Sequence, residues 1–143
     1  PEVVGECLAG LLQVEPEESP RFVAGFLDAP DPAVREQAAL ALGGCRLDLA
    51  LELLRERWDA EPLKGEAHRI LLRGAILNRS EAAFGWLLGV IARSDPGTAA
   101  WLVRELAVYR ANVRLFERVR EAVEARARPM AGEAWQRAWR VPG

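Results

Sequence analysis

Residues that favour strands or carry side-chain chemistry are scarce in this chain of 143 residues. Thr98, Tyr109 and His68 are the sole representatives of their types, and runs of Val, Ile, Thr and Tyr are missing. A β-sheet needs such runs, so their absence points to an all-α chain. With one histidine and two cysteines at no metal-like spacing, the sequence offers no zinc-type ligand set, and no metal or cofactor is expected. Cys7 and Cys45 read as small buried apolar residues in a reducing, cytoplasmic setting rather than as a disulfide framework. Charges interrupt every apolar stretch before it reaches membrane-spanning length, and no signal peptide is visible. No Gly-rich turn follows a strand in the manner that cradles phosphate. Lysine is almost absent as well: Lys64 stands against eighteen arginines, which suggests a GC-rich, bacterial coding source.

What is present is Ala, Leu, Arg and Glu, all good helix formers. Half the residues are apolar and 28% are charged, the balance of a folded chain. The net charge of −2 is unevenly spread. Residues 1–63 carry 13 acidic and 5 basic side chains, a net of −8; residues 64–143 carry 8 acidic and 14 basic, a net of +6.

Prolines set an internal period. Pro1, Pro32, Pro62, Pro96 and Pro129 are separated by 31, 30, 34 and 33 residues, and each opens a helix-like segment. Pro suits the first helical position because its missing N–H has no intrahelical partner there. Aligned on these prolines, the sixth following residues are Cys7, Ala38, His68, Leu102 and Trp135, and the tenth are Leu11, Leu42, Leu72, Leu106 and Trp139. That spacing marks one inward face of a helix. Asp31 and Asp95 precede two of the prolines as N-caps. A second set of helices fits between, over residues 19–28, 48–59, 80–93 and 113–127, with Ser80 as a cap. Their apolar stripes include Phe22, Val23, Phe26 and Leu27 in the first and Val113, Phe116, Val119 and Val123 in the last. Connectors as short as residues 29–31, 60–61 and 94–95 turn neighbouring helices antiparallel. Gly43, Gly74, Gly85 and Gly89 fall within or at the ends of these helices, each at about 1 kcal/mol relative to Ala in a helix interior; close helix–helix approach is the expected compensation.

Residues 27–43, LDAPDPAVREQAALALG, resemble a HEAT repeat of the short bacterial type. The likeness rests on Asp31, Val34, Arg35, Ala38, Ala39, Ala41, Leu42 and Gly43. At the place of Arg35 the other segments carry Val4, Gly65, Ala99 and Gly132. The resemblance implies an α-α superhelix of antiparallel pairs filling residues 1–143 as one repeat domain. About nine helices are expected: four A helices, and five B helices starting near 1, 32, 62, 96 and 129. A start on a B helix at Pro1 rather than Met suggests a piece of a longer repeat protein.

For function, the resemblance implies an interaction surface. The expectation is a non-enzymatic scaffold that binds a protein partner on a concave face lined by the B helices. Candidate contact residues are Arg69, Arg73, Trp101, Arg104 and Arg137; Arg104 and Arg137 share one register, eight residues after their prolines. Arginine columns suit acidic or phosphate surfaces, although Glu66, Glu105 and Glu133 lie on the same helices. Core packing is the favoured reading for the five tryptophans; Trp101, one step off the buried register, is the best candidate among them for a groove-lining aromatic. The alternative is a nucleic-acid-binding or alkylated-base glycosylase-type protein, with Trp101 and Arg104 at its centre. HEAT-like folds also include chromophore lyases, which nothing in these residues selects. His68 reads as an inward histidine, and no catalytic set converges on it.

Overall fold

The computed structural model describes residues 2–60 and 66–126 together with Trp139. Among them the chain is all-helical and has no strands. It forms α1 (Glu2–Val14), α2 (Ser19–Ala24) with a 3₁₀ continuation Gly25–Asp28, α3 (Pro32–Gly44) and α4 (Asp48–Asp59). There follow α5 (Glu66–Asn78), α6 (Glu81–Arg93), α7 (Pro96–Leu106) with a 3₁₀ turn Ala107–Tyr109, and α8 (Val113–Glu124). Among the described residues there are eight α-helices, against about nine expected for the whole chain; the ninth, anticipated from Pro129, lies outside the described residues, as does the start of the helix anticipated at Pro62.

Helix starts follow the capping chemistry. The Asp31 carboxylate accepts the Ala33 N–H at 2.9 Å, and Asp95 accepts both the Thr98 N–H at 2.9 Å and the Thr98 hydroxyl at 2.7 Å. Ser80 Oγ accepts the Ala83 N–H at 3.0 Å, and Asn112 Oδ1 accepts the Leu115 N–H at 3.1 Å. Two connectors instead use a left-handed residue. Arg46 (φ 58°) and Arg79 (φ 64°) each stand two residues before the next helix, α4 in the first case and the Ser80-capped α6 in the second. Neither position is glycine, so each carries local backbone strain.

The chain divides into two compact units, residues 1–83 and 84–143. In the first, α1, α3 and α5 lie side by side as one layer, while α2 and α4 pack on each other and against it as a second. Leu8, Leu12, Leu27, Leu42, Leu54 and Leu72 fill the space between. The approach of α3 to α5 is backbone to backbone. A Cβ built on Gly43 would collide with the Gly74 carbonyl, and one on Gly74 would meet the Ala39 oxygen at 2.5 Å and Leu54 Cδ1 at 3.1 Å. The glycines at these two positions therefore set the helix separation. Gly85 and Gly89 do not follow the same rule: Gly85 faces open space and Gly89 lies beside only the Arg93 guanidinium, at 3.7 Å.

In the second unit, aromatic and cationic side chains tie the helices. Phe84 on α6 meets Tyr109 edge-on with ring centroids 5.6 Å apart. Arg126, just past α8, donates to the Ile91 carbonyl on α6. Trp139 is buried, donates its indole N–H to the Val103 carbonyl at 3.1 Å and lies against Phe116 at 5.4 Å. The tenth-residue register is therefore inward at Leu42, Leu72, Leu106 and Trp139. At Leu11 it is not: α1 buries Leu8 and Leu12 and leaves Leu11 and Cys7 exposed.

Replacing Gly74 or Gly43 with Ala adds a methyl group where backbone stands in the way, so each variant is expected to lose about 1–3 kcal/mol of stability in urea unfolding. Gly85→Ala fills open space at an exposed position of α6 and gains roughly 0.5–1 kcal/mol from helix propensity. Equal stability of Gly74→Ala and the parent chain would contradict the close-approach account.

Candidate interaction surface

Arg69 and Arg73 stand one helical turn apart on α5. Arg73 Nη1 reaches across to Glu36 Oε1 on α3 at 3.0 Å, and both side chains remain about a third exposed. Arg69 Nη1 lies 3.9 Å from Glu66 Oε1 on its own helix. Each cation is thus answered by a carboxylate, which lowers the positive field above α5. Arg104 is exposed near the end of α7. Arg137 lies outside the described residues, and the Arg104–Arg137 column with it.

Trp101 needs correction. It is 8% exposed, buried in the second unit rather than placed one step off the inward face. The cause is the all-round burial of α7: Thr98, Ala99, Ala100, Leu102 and Val103 are buried with it, so an apolar periodicity defines no outer face there. Trp58 and Trp86 are half-buried, and Trp135 is outside the described residues. Trp58 lies flat on His68, ring centroids 3.5 Å apart and planes 11° from parallel. His68 is therefore half-buried in a stack between α4 and α5.

Residues 31–43, which carry the motif, use their polar groups on the chain itself. Arg35 Nη1 donates to the Ala29 carbonyl at 2.9 Å, and Arg57 Nε on α4 donates to Asp28 Oδ1 at 2.8 Å. Together they pin the turn that joins the end of the α2 segment to α3.

A surface that the sequence reading missed lies on α1 and α2. Ser19 is buried and donates its hydroxyl to the Leu11 carbonyl at 3.0 Å and to the Glu15 carbonyl, closing the connector tightly. This brings Phe22 of α2 beside Leu11 of α1. The two, with Glu15, Glu18 and Ser19, line an open groove of about 410 Å³. Phe22 is 59% exposed although its neighbours Val23 and Leu27 are buried; Val113 is likewise exposed on α8. The sequence pattern places both on the apolar stripes of their helices. Along α1, Val3 and Val14 are 72% and 79% exposed, with Cys7 and Leu11 between them. The spacing of four, four and three puts these residues on one face, beside the buried Leu8–Leu12 face. The readable signal was a helix with two apolar stripes where a single packed layer needs one.

Cys45 also differs from Cys7. It is half-buried with its thiol 3.1 Å from the Leu42 carbonyl, and burial raises its pKa, partly offset by the Leu47 backbone N–H. A raised pKa leaves less thiolate at a given pH, so Cys45 should react more slowly than the exposed Cys7. Labelling with an aromatic disulfide at pH 8 is expected to show a fast and a slow phase, with Cys7→Ser removing the fast one. A fast phase that survives Cys7→Ser would contradict the assignment. Among the described residues, no helix is long and apolar enough to cross a membrane, and no three of His, Cys, Asp and Glu come together as a metal-holding group.

No family model, no curated protein and no solved structure matches this chain.

Proposed function

We propose that the chain is a non-enzymatic interaction scaffold of HEAT-like repeats, in which the B helices of the first unit, α1, α3 and α5, offer a receiving face to a protein partner. The observation that carries the reading is the Glu36–Arg73 bridge, which joins α3 and α5 into one polar strip that remains partly open to solvent. A strip held by neighbouring helices is preorganised, so little ordering is lost when a partner docks. Proline-phased helices and short connectors support the repeat architecture, in which each pair buries its neighbour's apolar face.

The nucleic-acid alternative asks for an exposed aromatic and a strongly basic groove. Trp101 is buried, and Arg69 and Arg73 both have carboxylate neighbours. Duplex DNA titrated at low salt is therefore expected to bind weakly and to dissociate as salt rises, because phosphate contacts release counterions. Submicromolar affinity persisting at ~200 mM salt would overturn the protein-partner reading.

A further inference from the structure

We infer that the outer face of α1, with Phe22 of α2, is a docking site for a basic amphipathic helix of a partner protein. The site is separate from the α3–α5 polar strip and goes beyond the reading above, resting on it only in that the chain is an interaction protein.

The apolar part of the site is a continuous stripe: Val3, Cys7, Leu11 and Val14 on α1, extended sideways by Phe22. Scattered exposed apolar residues are ordinary, but a contiguous run along a helix marks a contact. The groove between Leu11 and Phe22 gives that stripe relief, a slot for a large apolar side chain at the centre of a helix-in-groove contact. Ser19 lines the slot, and its hydroxyl donates to the Leu11 and Glu15 carbonyls beside it.

Charge selects the occupant. The first twenty residues carry five glutamates, Glu2, Glu6, Glu15, Glu17 and Glu18, and no basic residue. All five are exposed, and none forms an ion pair among the described residues. Glu2 and Glu6 flank the stripe on the side away from the buried face of α1, as helical spacing requires. Glu15 and Glu18 stand in the groove wall. An acidic rim around an apolar stripe repels nucleic acid and anionic lipid, and favours a helix with an apolar face and Lys or Arg at its edges.

The test uses the whole chain and two labelled synthetic peptides. Each has the same leucine-rich helical face; one is flanked by lysines, the other by glutamates. Fluorescence anisotropy is expected to show saturable binding of the lysine peptide, at least tenfold weaker binding of the glutamate peptide, and loss of affinity with added salt. Leu11→Asp with Phe22→Asp is expected to cost at least tenfold in affinity, with unchanged helicity because both side chains are exposed. Arg69→Ala with Arg73→Ala should leave the affinity unchanged. No binding, equal binding of the two peptides, or binding indifferent to the Leu11/Phe22 change would overturn the site. Loss on the Arg69/Arg73 change alone would move the contact to the α3–α5 strip, overturning this site while supporting the scaffold reading. Self-association of the parent chain that Leu11→Asp/Phe22→Asp abolishes would name a second copy as occupant and overturn the partner-helix proposal.

Discussion

The contact between Gly43 and Gly74 is the constraint on which the first unit depends. Two helices whose side chains interdigitate normally sit 8–10 Å apart. Here α3 and α5 meet through backbone, with Leu54 of α4 pressed against the same point. The separation is fixed by the absence of two methyl groups. Everything lateral follows: Arg73 reaches Glu36 because α5 lies this close to α3, and the leucines of α4 close the core over the seam. The glycines cost helix propensity, roughly 1 kcal/mol where they are interior, and dispersion contacts along the seam offset it.

Beside the Glu36–Arg73 bridge, a second set of polar side chains acts at the ends of helices. Asp31, Ser80, Asp95 and Asn112 each cap a helix, Arg35 and Arg57 pin the turn at 28–31, and Ser19 closes the α1–α2 connector. Their common effect is to fix where one helix stops and the next begins. That in turn decides which apolar residues face outward. Phe22, next to the Ser19 closure, stays exposed beside Leu11.

The helix boundaries were legible in the sequence because they are written in local chemistry: Asp before Pro, Ser and Asn at starts, short connectors. Residues 48–59 form a helix over the anticipated span, and residues 80–93 do so with Ser80 as its cap. The inward register was legible wherever a helix has neighbours to define it, as at Leu42, Leu72 and Leu106. It failed by one residue on α1, where Val4, Leu8 and Leu12 compete with Val3, Cys7 and Leu11 as equally regular stripes. Periodicity offers both, and the single neighbouring layer takes one. Trp101 failed for the opposite reason, since α7 is buried nearly all round and its sequence pattern cannot point outward. The Arg73–Glu36 pairing was beyond reach because it joins residues 37 apart, an arrangement set by the glycine seam and not by local spacing.

The resulting picture is of a tightly packed α3–α5 centre with a more weakly held edge at α1, which among the described residues packs mainly on α3 and α2. Native-state hydrogen exchange read residue by residue tests this directly. The account expects the slowest amides of the first unit to lie in α3 and α5 around Gly43 and Gly74 and to open together. Those of α1 should exchange faster through local opening. Fast, independent exchange of α3 and α5, or slower exchange in α1 than at the seam, would contradict it.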